Sequence, residues 1–289
     1  MGVKTQWMDG KMLAGLRKEK LAQEVAEYRG QGHRPPGLAV ILVGEDPASQ
    51  VYVKNKISAC QQVGVSSTEH RLPAQAQPQD LKELIEGLNR DPRVDGILLQ
   101  LPLPQDLDEK EALGWIDPSK DVDCLTAQNL GRLLTQQPLT LPCTPKGVMS
   151  LLSHYQIPLE GREAVVVGRS QIVGKPMALM LLEAHATVTI CHSRSQNLRQ
   201  HLQRADVVVV AAGRPEFLGR EDFKSGAVVV DVGIHRRAQG RGLCGDVRSQ
   251  ELEGWASALT PVPGGVGPMT IVSLLENCFR LYTETIGQN

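Results

Sequence analysis

The stretch AVVVGRSQIVGKPMALMLL, residues 164–182, decides how the second half of this chain folds. Its apolar run ending at Gly168 reads as a buried strand, and Lys175 and Pro176 open a helix rich in Met, Ala and Leu. Between them, Gly168 and Gly174 stand six positions apart. Glycines at such a turn let a ligand approach the main chain, and the free amides of a helix start suit a phosphate. The middle glycine of G-x-G-x-x-G is missing, so the segment alone also fits a turn whose glycines serve packing. Its neighbours favour the ligand reading: TVTIC (187–191), DVVVVAA (206–212), AVVVDVG (227–233) and SALT (257–260) continue a series of strands with helical lengths between them. That is the pattern of a doubly wound, nucleotide-binding α/β domain.

The turn after the second strand of this series reads Cys191, His192, Ser193, Arg194, Ser195. NAD enzymes usually carry an acidic residue about 20 positions beyond the glycines, to accept from the ribose hydroxyls. Here no carboxylate stands in the turn to repel a ribose phosphate, and Arg194, Ser193 and the loop residue Arg169 are potential donors to one. NADP is therefore favoured over NAD. Each arginine also reads as a solvated surface charge.

Working outward, the first half repeats the α/β alternation. Leu13, Leu16, Leu21, Val25 and Tyr28 share a helical face, LAVILVG (38–44) is a buried strand, and Asp46 followed by Pro47 caps a helix over 47–63. Leu81, Leu84, Ile85 and Leu88 mark another helix, and VDGILLQ (94–100) another strand. Thr144 and Pro145 start a helix through about Tyr155, near the domain boundary. The expected architecture is a catalytic α/β domain over 1–143 and a Rossmann-type domain over 144–268. An amphipathic helix over 269–289, carrying Ile271, Leu274, Leu275, Cys278 and Leu281, returns to the first domain.

Composition agrees with two globular domains: 289 residues at roughly 150 per domain. Lys plus Arg is 31 against 32 for Asp plus Glu, a formal charge of −1, which argues against a nucleic-acid or polybasic membrane partner. Hydrophobic residues are 41 % and aromatics 3 %, so the core must be aliphatic. Six scattered cysteines with no C-x-x-C pair read as reduced thiols of an intracellular protein, with no metal site expected. No segment approaches the ~18 apolar residues of a membrane span, and residues 1–30 carry charges every few positions. A soluble, cytoplasmic protein is expected.

Chemistry concentrates in four places. Ser49, Tyr52 and Lys56 lie at i, i+3 and i+7 on one face of the 47–63 helix. A helix lysine is by default a solvated charge, and Lys56 is chemically useful only if a semi-apolar cleft holds it near a reacting nitrogen or water. Gln100 follows the carboxyl end of a strand, where open parallel sheets place ligand groups, although a loop hydrogen bond would also account for it. DPSKDVDCLT (117–126) crowds Asp117, Asp121 and Asp123 around one lysine. A carboxylate there can accept paired hydrogen bonds from an amino-substituted heterocycle, or serve turn chemistry. PVPGGVGPMT (261–270) packs three glycines and three prolines into ten residues, a stiff loop that lets a flat ligand lie on bare backbone.

Together, VGEDPASQVYVKNK, DGILLQLPLP, KDVD, PCTPKGV, VVVGRSQIVGKP, CHSRS and PVPGGVGPMT resemble, in order and over nearly the whole chain, the bifunctional methylenetetrahydrofolate dehydrogenase/methenyltetrahydrofolate cyclohydrolase family. The resemblance implies a catalytic lysine at Lys56, a cleft tyrosine at Tyr52, a glutamine working with the lysine at Gln100 between Leu99 and Leu101, and a pterin-holding aspartate at Asp123. It implies that Pro263, Gly264, Gly265, Val266 and Gly267 close over the substrate, and that Gly168, Arg169, Ser170, Ser193 and Ile234 contact NADP; Arg194 is added on the charge argument. It also implies hydride transfer from methylenetetrahydrofolate to NADP, hydrolysis to 10-formyltetrahydrofolate, and a homodimer. Two positions depart from the family pattern. The glycine that commonly follows DVD is Cys124 here, and the lysine often found two positions after the catalytic one is Ser58. An NAD-using enzyme, one without the hydrolase step, and a silent ligand sensor are the rival readings.

Overall fold

The computed structural model describes residues 3–237 and 242–287. Its elements, in chain order, are β1 (Gln6–Trp7), α1 (Gly10–Gly30), β2 (Gly37–Val43), α2 (Pro47–Val63), β3 (Ser66–Leu72), α3 (Pro78–Arg90), β4 (Gly96–Leu99), α4 (Glu109–Gly114), α5 (Ala127–Leu134) and α6 (Cys143–His154). There follow β5 (Glu163–Val167), α7 (Gly174–Glu183), β6 (Thr187–Cys191), α8 (Leu198–Arg204), β7 (Val207–Val210), β8 (Val228–Asp231), β9 (His235–Arg236), β10 (Leu243–Cys244), α9 (Ser249–Leu252), β11 (Ala258–Leu259) and α10 (Val266–Ile286). No described helix is long and apolar enough to cross a membrane.

Two compact units emerge. One comprises Gly15–Cys143 and the chain from Ile271 onward, built on a parallel three-stranded sheet in the order β3-β2-β4. Every residue of the central strand β2 is buried, and its period-2 alternation feeds two cores. Leu38, Val40 and Leu42 pack with Leu21 and Val25 of α1, Val53 and Val63 of α2, and Leu274, Leu275 and Leu281 of α10. Ala39, Ile41 and Val43 face the other way, onto Leu81, Ile85 and Leu88 of α3 and Ala112 of α4. The carboxyl-terminal helix thus completes this unit. The edge strand β3 carries the sequence SSTEHRL, whose half-exposed polar residues gave no apolar run to read.

The other unit holds the residues up to Ala14 together with Thr144–Thr270. Its six-stranded parallel sheet runs β1-β11-β8-β7-β5-β6, a doubly wound order. Valines at 165, 167, 208, 210 and 229 pack with Leu202 of α8, Leu252 of α9 and Phe223. Assigning all of 1–143 to the first domain therefore misplaces its start. Residues up to Ala14 belong here because β1 pairs with β11, Met8 N donates to the Leu259 carbonyl at 2.8 Å, and Thr5 Oγ1 donates to the Ala256 carbonyl at 2.8 Å. A two-residue strand with exposed side chains leaves no periodic signal.

Candidate functional site

The α2 helix starts where its sequence says it should. Asp46 accepts from Ser49 N at 2.7 Å as N-cap, Pro47 occupies the first turn, and Gly64 closes the other end in the left-handed conformation. That fixes the face bearing Ser49, Tyr52 and Lys56. Lys56 is only 8 % exposed, and its Nζ donates to Gln100 Oε1 at 3.0 Å. Gln100 is held in turn, since its N donates to the Ile41 carbonyl at 2.9 Å and its Nε2 to the Leu101 carbonyl at 2.6 Å. With one end tied to backbone, the amide oxygen is oriented toward the lysine. The structure therefore brings together two groups 44 positions apart in sequence. An ammonium has three donors, so one bond to Gln100 leaves two for a water or a substrate nitrogen. Tyr52 is 38 % exposed, and partial burial raises its phenol above the ordinary value. Leu99 is buried at the end of β4, and Leu101 half-buried beyond Gln100.

The three aspartates after α4 separate by their partners. Asp117 caps its own turn, accepting from Ser119 N and Oγ. Asp121 is buried and accepts from Leu125 N, Thr126 N and Asn129 Nδ2; burial pushes its carboxyl up against the pull of those bonds. Lys120 ties the same loop to the Leu88 and Asp91 carbonyls. Asp123 alone of the three is half-buried with no hydrogen-bond partner among the described residues, so its oxygens are free to accept from a ligand. No bond joins it to Lys56 or Gln100. Next to it, Cys124 adopts φ 57°, the left-handed region, fully buried, with Sγ 3.3 Å from the Thr140 carbonyl. The departure from glycine thus sits where a side chain is strained.

In the other unit, β5 ends at Val167 and the chain turns through Gly168 at φ 140°. Ser170 Oγ accepts from Val173 N at 3.1 Å and Gly174 N at 3.4 Å, and the Ser170 carbonyl accepts from Lys175 N at 3.0 Å, folding the loop onto the start of α7. A Cβ at Gly174 would stand 2.5 Å from the Gly168 carbonyl carbon and 2.7 Å from Arg169 N, so only glycine allows this approach. The backbone amides of Arg169, Ser170, Gln171 and Ile172 donate to nothing among the described residues. Consecutive free amides before a helix start form a concavity suited to phosphate. The loop of β5 and the turn after β6 rise side by side, since Gly168 N donates to the Cys191 carbonyl at 2.8 Å. Ser193 and Arg194 are exposed on that turn, and neither Arg194 nor Arg169 has an ion-pair partner among the described residues.

Residues 261–265 and the first turn of α10, with Val266 and Gly267, lie in this unit, Pro263 being exposed and Gly265 and Val266 buried. A Cβ at Gly267 would reach 3.1 Å from Ile234 Cδ1, so two of the predicted ligand positions are in mutual contact. Sequence reasoning missed a buried pair of carboxylates beside them. Asp231 accepts from Gly233 N, Asp246 N and Val247 N, and its own N donates to Thr260 Oγ1, just ahead of Pro261. Burial, with a smaller contribution from the neighbouring Asp246 charge, raises Asp231 to about 6. Asp246 accepts from Ala212 N, Gly213 N, Arg214 N and the ring Nε2 of His235. Carboxylates flanked by glycine in DVGIH and CGDV were the available signal.

Comparison with known proteins agrees with both units. Residues 8–123 match the catalytic domain of tetrahydrofolate dehydrogenase/cyclohydrolase, and residues 142–286 match its NAD(P)-binding domain. A bifunctional protein FolD of Bdellovibrio bacteriovorus is 53 % identical, the alignment covering 95 % of each chain. The Campylobacter jejuni structure described as bifunctional FolD methylenetetrahydrofolate dehydrogenase/cyclohydrolase superposes with a TM-score of 0.94 at 45 % identity, over 97 % of this chain and 99 % of that one. The Trypanosoma brucei dehydrogenase-cyclohydrolase, solved with NADP and an inhibitor, superposes with a TM-score of 0.95 at 36 % identity, over 99 % of both. By sequence and by fold alike, this chain belongs to the tetrahydrofolate dehydrogenase/cyclohydrolase family.

Proposed function

We propose that this protein is a bifunctional folate one-carbon enzyme. It oxidises 5,10-methylenetetrahydrofolate to the 5,10-methenyl cation with NADP, then hydrolyses that cation to 10-formyltetrahydrofolate. The observation that carries the reading is the Lys56–Gln100 bond at 3.0 Å, in a chain whose family is that of folate dehydrogenases and cyclohydrolases.

NADP, when bound, supplies the redox chemistry by accepting the hydride, and the protein's part is to bind and orient. The four free amides at 169–172 suit its diphosphate, and the unpaired Arg169 and Arg194 with Ser193 suit a ribose phosphate. Hydrolysis adds one water to the methenyl carbon and releases one proton, and the ring opens when a carbon–nitrogen bond breaks. Lys56, held by Gln100, is the group proposed to take the proton from the attacking water as the neutral amine and, as the ammonium so formed, to return it to the departing nitrogen. Asp123 is proposed to hold the amino-pterin edge, with Tyr52, Leu99 and Leu101 lining its site. The main chain of Pro263, Gly264, Gly265, Val266 and Gly267 is the surface proposed for a flat ring.

We further read the protein as cytoplasmic, which its six buried free thiols suit, and as a homodimer. The dimer reading is supported by Ile190 on the sheet-edge strand β6, 42 % exposed, with Leu182 also exposed near the end of α7. Light scattering at micromolar concentration tests it: a mass of one chain refutes the dimer. The decisive assay gives purified protein methylenetetrahydrofolate with NADP or NAD, following nicotinamide reduction and decay of methenyl absorbance. Reduction with NADP and cofactor-independent methenyl decay are expected, and absence of both refutes the function.

A further inference from the structure

One carboxylate in the dinucleotide unit makes bonds that its burial alone does not explain. Asp246 is wholly buried, yet it collects three successive backbone amides: Ala212 N at 2.7 Å, Gly213 N at 3.0 Å and Arg214 N at 2.9 Å. These follow the carboxyl end of β7, on the edge of the sheet where open α/β folds bind their ligands. In a trans peptide the N–H and C=O point in opposite directions. Gathering three consecutive amides inward therefore turns the three matching carbonyls, those of Ala211, Ala212 and Gly213, away from Asp246. No donor among the described residues reaches any of the three. The loop is half-buried to exposed, with Gly213 at φ 68°.

The same carboxylate reaches a second element. His235 Nε2 lies 2.7 Å from Asp246 Oδ1, and the residue before it, Ile234, abuts Gly267. The amide of Gly233 is tied to Asp231, whose carboxylate also takes the amides of Asp246 and Val247. Asp246 thus spans the loop after β7 and the segment after β8, and its own place is fixed by Asp231.

We propose that Asp246 is a positioning residue for the dinucleotide. It holds the Ala211, Ala212 and Gly213 carbonyls as a row of acceptors for the O–H and N–H donors of the cofactor's ribose and carboxamide, and through His235 it sets Ile234. This rests on the function proposed above. A charged acceptor is needed because a neutral amide in its place would turn an NH₂ group toward backbone N–H donors and could not accept all of them.

The test is calorimetric titration of NADP into wild type, Asp246→Asn, His235→Ala and His235→Gln, alongside thermal melting and cofactor-independent methenyl hydrolysis. Asp246→Asn is expected to weaken NADP binding about tenfold or more, and to raise the NADP KM in proportion while leaving hydrolysis, assigned to Lys56 and Gln100, within about twofold. His235→Ala is expected to weaken binding by about threefold to tenfold, and His235→Gln, which can still present a donor to Asp246, to restore it to within about twofold. If Asp246→Asn does not fold, the two His235 variants decide between positioning and mere stability. Variants that melt earlier but bind NADP like wild type overturn the positioning role and leave the enzyme reading standing. Wild type that binds no NADP overturns both.

Discussion

Replacing Lys56 by methionine separates the two proposed activities. Methionine keeps most of the unbranched apolar stem that lies buried beside Val53 and Cys60, so packing is nearly conserved. What is lost is the ammonium and its 3.0 Å bond to Gln100 Oε1. Gln100 is only half-buried, and its Nε2 remains tied to the Leu101 carbonyl, so the orphaned oxygen should cost about 1 kcal/mol of stability at most. The catalytic cost is far larger. A positioned proton-transfer group contributes roughly 10²- to 10⁴-fold, about 3–5 kcal/mol of barrier. Decay of methenyl absorbance should therefore slow by at least about 100-fold while the melting temperature and the NADP affinity stay near wild type. Lys56→Arg sharpens the test, because a guanidinium keeps the charge but cannot give up its proton near neutral pH. It should be as slow in hydrolysis as the methionine variant. Hydrolysis by Lys56→Met within about tenfold of wild type would remove Lys56 from proton transfer and with it the main support for the mechanism.

Arg194→Glu should raise the NADP KM about tenfold or more and leave the NAD KM nearly unchanged, since the exposed, unpaired guanidinium is proposed to meet the ribose phosphate that only NADP carries; equal effects on both cofactors refute that proposal. Burial raises Asp231 from the ordinary 3.8 to about 6, so its proton is held more tightly folded than unfolded. Its contribution is greatest below pH 3.8 and is lost as pH rises through about 6, about 3 kcal/mol over that window. Urea unfolding from pH 4 to 8 should show Asp231→Asn with a flatter profile than wild type, and parallel profiles refute the shift. Cys124→Gly should be more stable than Cys124→Ala by about 1 kcal/mol, although glycine is smaller and more flexible, because only glycine relaxes at φ 57°; chemical denaturation midpoints in the reverse order refute the strain.

The fold was legible where burial is two-sided. A strand with both faces in the core has no polar positions, so GLAVILV and the valine runs of β5, β7 and β8 announce themselves in sequence. Asp46, Pro47 and Gly64 mark both ends of α2, which spans the expected residues. β3 was invisible for the converse reason. It lies at the sheet edge and is fixed by seven register pairs to β2 rather than by apolar side chains. β1 is shorter still, and its pairing partner lies about 250 positions away, a separation that periodicity cannot bridge.

The site was legible only in part, and the carboxylates show why. Asp117, Asp121 and Asp123 look alike in DPSKDVD, but their roles are set by which backbone amides happen to face them. Asp121 spends its oxygens on Leu125, Thr126 and Asn129 and so shapes the loop; Asp123 is left free among the described residues, and the loop's shape is what presents it. Asp231 and Asp246 repeat the logic in the other unit. There the buried carboxylates bind backbone N–H groups, and by the proposal above this leaves the carbonyls at 211–213 and the side chain of Ile234 to a ligand. A backbone amide is the same at every residue and leaves no mark in a sequence. The residues proposed to touch ligands were therefore nameable from type, spacing and the family resemblance, whereas the residues proposed to aim them required coordinates. It follows that substitutions at Asp121 and Asp246 should disturb ligand binding through the main chain they hold, and that compensating changes are to be sought in those loops rather than in the ligand-facing side chains.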